Sequence, residues 1–392
     1  MRTLWITTVA LIASFFTSSC THLEKPQPSK QIDFTTVKTF DHRIRIMEYN
    51  VENLFDTSHD EGKNDWEFLP KNAAGKKEFC DSQPRQFQDR CLETDWTDAK
   101  LEIKLGQIAK IVAKNDPKPD LLALIEVENE AVLRKLADKL KYQHVVITES
   151  PDERGIDVAL IFNEKPGLRF LGSKSERVDL KPFGGRPSRD ILIAEFEYGS
   201  KEQSKLAVIV NHWPSQANPA QFRRLFAERV RDLALSYSKK GFDVLATGDF
   251  NVEPVNDHPN PFLAFMNGER ILLYDIDRLV RENTRALKID ASRLPPGTYF
   301  YWHEGSETRA PAMTWNLLDR FFVSESLLNR VDLRSYRIIN DPEFTTNVTF
   351  KRGLLAGSRV TGVPLRYSHR SSKEKTSGFS DHFAIVMEIG FD

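Results

Sequence analysis

The sequence predicts a layered, mixed α/β sandwich. Short and almost wholly apolar runs recur along the chain, as within residues 119–130 and 156–163. Strands of that composition are covered on both faces. Between them lie longer segments with helical spacing, such as 98–116, where Leu101, Leu105, Ile108 and Val112 fall on one face. Some apolar runs follow one another with no helix between, as 190–198 and 205–213 do. A parallel pair needs a long crossover, so such spacing argues against an all-parallel sheet.

The bulk numbers agree with one globular domain. Of 392 residues, 40% are hydrophobic and 28% charged, which excludes disordered and collagen-like classes. Lys plus Arg total 55 against 56 Asp plus Glu, so only local clustering can attract a polyanion.

From the N-terminus, residues 1–19 read as a secretory signal: Arg2, an apolar run from Leu4 to Phe16, then small residues. Thr17-Ser18-Ser19 before Cys20 resembles a bacterial lipoprotein box, although Thr17 stands where Leu is usual. In that family the cysteine is acylated, and the absence of Asp after it favours the outer membrane. The expectation is an exported protein held to a membrane through lipidated Cys20, facing the periplasm or the cell surface. Ordinary cleavage and secretion is the alternative. Residues 20–40 are the lipidated cysteine and a polar, Pro-containing tether, and 41–392 the folded domain.

Cys80 and Cys91 lie in a polar stretch without apolar periodicity. In an oxidising compartment they are expected to form a disulfide closing a surface loop, worth about 3 kcal/mol by chain entropy. Strands are expected over 43–51, 119–130, 156–163, 190–198, 205–213, 242–250, 316–324 and 380–389. Helices are expected over 98–116, with Asp98 as cap, and over 219–241, where Pro219 starts and Gly241 ends the segment. No repeat and no second composition regime divides the domain.

One event repeats along these strands. An apolar run ends and a polar side chain stands at its lip: Asn50, Glu126, Asn211 and His212, Asp249 and Asn251, Asp319, then Asp381 and His382. Any one of these alone serves as a turn or cap residue. Together they are the residue types for hard-cation and phosphate chemistry, with carboxylates and amides for an oxygen-ligated ion and His for proton transfer. No cysteine joins the set, so zinc and iron–sulfur centres are not suggested.

The ordered motifs YNVEN, LIEVEN, NHWPS, GDFN, LLDRFFVS and SDHF resemble the endonuclease/exonuclease/phosphatase superfamily of metal-dependent phosphodiesterases, over about Arg43 to Ile389. The resemblance implies a four-layer α/β sandwich, two mixed sheets face to face with helices outside. It implies Mg²⁺, with Mn²⁺ or Ca²⁺ as alternatives, on Glu126 near Asn50, with Asp381 and Glu52 on the metal side. Asp249 and Asn251 match the pair that orients water and phosphate, and Asp319 the carboxylate that holds the His382 tautomer. His212 matches the second His of the deoxyribonuclease and sphingomyelinase branches, and Asp157 is the acid expected to pair with it. Arg189 and Asn211 are the expected phosphate contacts, with Arg186 competing for the arginine role.

Phosphodiester hydrolysis needs charge neutralised on phosphoryl oxygens, an in-line water and a proton for the leaving oxygen. This set holds candidates for each. NHWPS departs from the abasic-site endonucleases, and TWNLLDR, without Cys, departs from the inositol polyphosphate phosphatases. The expectation is a weakly sequence-selective nuclease, with a sphingomyelinase-like phospholipid phosphodiesterase or an inositol-type phosphatase as the second reading and a silent binding module as the third. Segment 351–375 holds four Arg and three Lys against Glu374, and its expected place at the rim favours a nucleic acid. The aromatic run 297–302 fits a lipid surface or a strand. The expected state is a monomer.

Overall fold

The structure, a computed structural model, describes residues 39–200, 203–253, 256–268, 270–291, 294–305 and 311–392. The expected signal segment and Cys20 lie outside them. Among the described residues no helix is long and apolar enough to cross a membrane.

The strands run β1 (His42–Leu54), β2 (Leu121–Val127), β3 (His144–Ile147), β4 (Asp157–Phe162), β5 (Leu168–Glu176), β6 (Ile191–Tyr198), β7 (Ser204–His212) and β8 (Phe242–Asp249). Then come the short β9 (Met266–Asn267), β10 (Arg270–Ile271) and β11 (Leu273–Asp275), followed by β12 (Tyr299–His303), β13 (Ala312–Asn316) and β14 (Asp319–Ser324). The chain ends with β15 (Val331–Ile338), β16 (Thr345–Thr349), β17 (Arg359–Pro364) and β18 (Ile385–Phe391). Two six-stranded sheets result, ordered β15-β18-β1-β2-β4-β3 and β11-β14-β8-β7-β6-β5. Each contains one parallel pair, β1–β2 and β7–β8, among antiparallel ones. β12–β13 and β16–β17 form separate two-stranded ribbons.

The helices that matter for the layers are α1 (Lys76–Ser82), α2 (Arg85–Glu93), α3 (Asp98–Ala113), α4 (Glu130–Leu140) and α5 (Ala220–Lys239). Alternation on β1 assigns its faces. Met47, Tyr49 and Val51 pack outward with Leu105 and Ile108 of α3 and Leu133 of α4. Ile44, Ile46, Glu48 and Asn50 are equally buried on the other face, toward the second sheet. There Val244 and Ala246 of β8 pack outward under Phe226 and Val230 of α5. Rings of Phe162 and Phe196 meet edge to face at 5.1 Å between the sheets. The result is the expected four-layer α/β sandwich. Each fully buried aliphatic or aromatic side chain in it contributes about 1.5–3 kcal/mol.

Register delivers the polar residues to one edge. His212 lies opposite Asp249 in the β7–β8 pair, and Asp249 opposite Asp319 in the β8–β14 pair. Asn50 lies opposite Ile125, one residue before Glu126. In layered α/β folds the C-terminal ends of parallel strands are where sites form. Gly248 is required here: it has φ 128°, and a Cβ would stand 2.0 Å from the Asn211 carbonyl oxygen.

Three local expectations are corrected. Cys80 and Cys91 are disulfide-bonded, with Cα atoms 5.5 Å apart, but they join α1 to α2 rather than close a loop. These helices are short and polar, so their packing comes from buried Lys76, whose ammonium donates to the carbonyls of Leu69 and Thr94. Asp98 is the first residue of α3, after Thr97, and accepts from the Thr57 hydroxyl at 2.8 Å. Asp381 and His382 precede β18 rather than open it, because the chain there leaves the sheet so that the Phe383 amide can donate to Thr298.

Candidate active site

An open cavity of about 920 Å³ lies over the strand ends. Glu126, Arg189, His212, Asp249, Asn251, Asp381 and His382 all line it. The backbone is strained where it delivers them. Glu52, Asn53, Glu126 and Asn251 have φ of 52°, 62°, 67° and 51°. Left-handed backbone costs a non-glycine residue on the order of 1 kcal/mol or more, so its concentration at one lip marks a constrained site.

At one end, the Asp319 carboxylate meets His382 Nδ1 at 2.7 Å, which fixes the ring's tautomer. The Ser380 hydroxyl accepts from the His382 amide and donates to the Asn50 carbonyl, tying the turn to β1. Burial alone favours a neutral ring, but Asp319, by charge and hydrogen bond, then Asp249 and Asp381 outweigh it and hold the His382 pKa well above its ordinary value.

At the other end, His212 Nε2 stands 3.7 Å from both Glu126 Oε1 and Asp249 Oδ2. Its Nδ1 has no hydrogen-bond partner among the described residues. Burial, then the charges of Arg189, Arg154 and His382, push its pKa well below the ordinary value, so the ring is neutral.

Between them, Asp249 is caged. It accepts from the Asn251 amide at 2.9 Å, the Asn251 side chain at 3.0 Å and Asn50 Nδ2 at 3.2 Å. Burial lifts its pKa to about 7, opposed by the charge of His382. Asn251 Nδ2 also donates to the Trp213 carbonyl. Phe250 points the other way, its ring 4.8 Å from Trp213 in the core. Arg189, buried, donates to the Trp213 carbonyl at 2.8 Å and lies 3.5 Å from Asp152. Its Nε has no partner among the described residues.

Other expected residues stand elsewhere. Asp157 does not pair with His212. Its carboxylate takes hydrogen bonds from the Thr148 hydroxyl and the Ser150 amide, and burial lifts its pKa to about 6. Asn211 does not face the cavity: its amide donates to the Ile209 and Thr247 carbonyls and accepts from Trp213 Nε1. Glu52 is held by the Arg366 guanidinium and the Tyr367 amide, not left open for an ion. Burial and the nearby Asp381 lift its pKa to about 8, against Arg366 and Lys104. Arg186 is exposed at the rim, 3.6 Å from Glu153. Three of the seven basic residues of 351–375 are paired, Arg352, Arg366 and Arg370 against Glu304, Glu52 and Glu93.

Sequence reasoning missed Glu48, Arg366 and Arg154. Glu48 is fully buried behind Asp319, and neither its carboxyl oxygens nor Asp319 Oδ1 accepts a hydrogen bond from a standing donor. Burial, then Asp319 and Asp249, push its pKa far up, so a protonated Glu48 supplies the donor that Asp319 lacks. Its signal was present: a carboxylate at the third place of the inward series Ile44, Ile46, Glu48, Asn50.

The family model described as the Endonuclease/Exonuclease/phosphatase family matches residues 45–270, more than half of the chain. The chain belongs to this family. Among solved structures, a family protein from Bacteroides thetaiotaomicron is 14% identical, with 90% of this chain and 98% of that one covered and a TM-score of 0.48. A mannosyl-6-phosphatase from the same organism is 14% identical, covering 89% and 100%, with a TM-score of 0.47. TDP2 from D. rerio, complexed with a single-strand DNA product, is 14% identical over 89% and 99%, with a TM-score of 0.46. No curated protein matches by sequence. The family match contains Asn50, Glu126, His212, Asp249 and Asn251, while Asp319, Asp381 and His382 lie beyond it: the turn before β18 brings Asp381 and His382 to the cavity, and β14 sets Asp319 behind His382.

A divalent ion is the cofactor this family implies. Among the described residues no group of three or more His, Cys, Asp or Glu side chains is arranged to hold a metal. Glu126 Oε2 accepts from the Asn53 amide while Oε1 lies 3.7 Å from His212 Nε2, and Asp381 faces the same cavity. Two carboxylates facing one cavity are donor types for a hard divalent cation that keeps several waters.

Proposed function

We propose that this family member is an exported, metal-dependent phosphodiesterase acting on nucleic acid as a monomer. The observation that carries it is the convergence on one open cavity of a carboxylate-backed His382, a neutral His212, a caged Asp249 and a buried Arg189. Arg154, Arg186 and Arg189 line the cavity, each beside Asp152 or Glu153, and bring positive charge to it for a polyanionic strand.

Glu126 and Asp381 would hold Mg²⁺, with Mn²⁺ or Ca²⁺ as substitutes. Bound there, the ion supplies charge against the phosphoryl oxygens. Arg189, which lines the cavity, offers its guanidinium charge to a phosphate oxygen. Asp249, with Asn251 fixing it, accepts the proton of the attacking water as the new P–O bond forms. His382, kept protonated by Asp319, gives its proton to the leaving oxygen as the old bond breaks. Neutral His212 acts as a hydrogen-bond partner for the phosphate.

Export is supported by the signal-like start, the Cys20 box and the Cys80–Cys91 disulfide. On this reading the chain is attached to the outer membrane through lipidated Cys20. Labelled palmitate incorporated into the full precursor supports that, and its absence contradicts it.

The test of activity is a panel of plasmid DNA, RNA, sphingomyelin vesicles and inositol phosphates, each with Mg²⁺ and with chelator. Cleavage of nucleic acid that chelator abolishes is expected. Intact nucleic acid with hydrolysed vesicles or inositol phosphates overturns the nuclease reading.

A further inference from the structure

A second groove of about 670 Å³ opens beside the catalytic cavity, between the β12–β13 and β16–β17 ribbons. Tyr299, Tyr301 and Asp381 line both, so the groove adjoins the catalytic cavity along these residues. The ribbons carry their own small core of Phe300, Val348, Phe350 and Val363, which gives the groove a firm floor. Alternation along β12 sends Phe300 into that core and leaves Trp302 on the same face farther out.

Trp302 is 43% exposed, yet it is not loose: its ring stands edge-on to buried Phe350 at 5.7 Å. An aromatic face held open beside a reactive centre is a stacking platform. Lys351 lines the same groove, and its ammonium makes no ion pair among the described residues, whereas neighbouring Arg352 faces Glu304. Arg366, also in the groove, reaches in to Glu52 and lies 3.7 Å from Asp381. The groove thus combines an exposed indole and an uncommitted cation next to the catalytic cavity.

We propose that this groove is a nucleotide subsite for an unpaired strand, in which Trp302 stacks a base and Lys351 meets a phosphate one or more residues from the bond cleaved. The assignment rests on the nuclease reading above. A single strand is required because only unpaired bases offer a free face, and stacking of this kind tolerates any sequence. The expected preference is therefore for single strands or frayed ends, without base selectivity.

The test measures KM of the full chain, with Mg²⁺, for a 12-nucleotide single strand and for the matching duplex. Trp302→Ala should raise the single-strand KM about tenfold, and more than the duplex KM, while Trp302→Phe restores it to within about twofold. Lys351→Ala should raise KM at low salt and flatten its salt dependence by about one phosphate contact. A Trp302→Ala chain with wild-type KM overturns the subsite. So does equal loss in Trp302→Ala and Trp302→Phe, which would make Trp302 part of the ribbon framework. If Trp302→Ala instead loses sphingomyelin vesicle binding at unchanged strand KM, the groove is a lipid surface and the proposal falls. A wild-type chain that cleaves no nucleic acid removes the nuclease reading and this subsite with it. Cleavage with an indifferent Trp302 removes the subsite alone.

Discussion

Two imidazoles stand at one lip and differ in charge. His382 is surrounded by acids, with Asp319 on Nδ1, Asp249 and Asp381 near, and is held protonated. His212 has Glu126 and Asp249 no nearer than 3.7 Å, cations Arg189 and Arg154 close by, and an unpartnered Nδ1, and is held neutral. Both are buried, so burial does not distinguish them. The difference teaches that neighbours at the strand ends, set by register, choose which ring can give a proton.

The comparison breaks most visibly at the protonated end. His382→Ala is expected to lower kcat by about 10³-fold, within the range for loss of a general acid, measured as steady-state plasmid or oligonucleotide cleavage. Asp319→Asn keeps the ring but removes the charge that raises its pKa. A loss of about 10²-fold is expected, and the surviving activity should fall off at lower pH than in wild type, because the acid form is lost earlier as pH rises. An unchanged alkaline limb would contradict this role.

At the neutral end the effects are smaller. Arg189→Lys replaces a planar fork by a point charge and should raise KM about tenfold with a lesser change in kcat. A third imidazole, half-buried His369, is a control outside the cavity. It sits against Trp96 at 5.6 Å and Tyr367 at 5.3 Å, and burial, then Lys104 and Arg366, lower its pKa to about 3. Its unfolded pKa is higher, so the unfolded chain binds the extra proton between about pH 6.5 and pH 3. Stability should therefore fall as pH drops through that window, by up to about 1.4 kcal/mol per pH unit from this group. His369→Phe should flatten that slope in denaturant titrations. The smallest effect is expected at Asp157, which braces Thr148 and Ser150: Asp157→Asn should cost about 1 kcal/mol of stability and leave turnover within about twofold.

Much of this was legible because it is local. Apolar runs ending in polar residues gave the strands, and the order of six motifs pointed to the sandwich and to Glu126, His212, Asp249 and His382 at one edge. Partners joined across long separations were not legible. Arg366 reaches Glu52 from 314 residues away, which closes an acid that the motif spacing left open for an ion. Asp157 was a reasonable partner for His212 by type, but the turn before β4 supplies Thr148 and Ser150 donors that claim it first. Asn211 stands beside His212 in sequence, yet strand alternation turns it to the helix-covered face beside Trp213. Glu48 was visible as a carboxylate on an apolar face. Its meaning depended on Asp319 lying across the sheet interface, which no pattern in β1 reveals.

The charge difference between the two rings is open to direct observation. Nitrogen-15 NMR of histidine-labelled full chain, with the two rings assigned through His212→Asn and His382→Asn variants, reads the protonation of each ring nitrogen across pH 5–9. The account predicts that His382 keeps protons on both nitrogens through neutral pH while His212 keeps one throughout. Two rings titrating together near pH 6.5, or a protonated His212 beside a neutral His382, would contradict it.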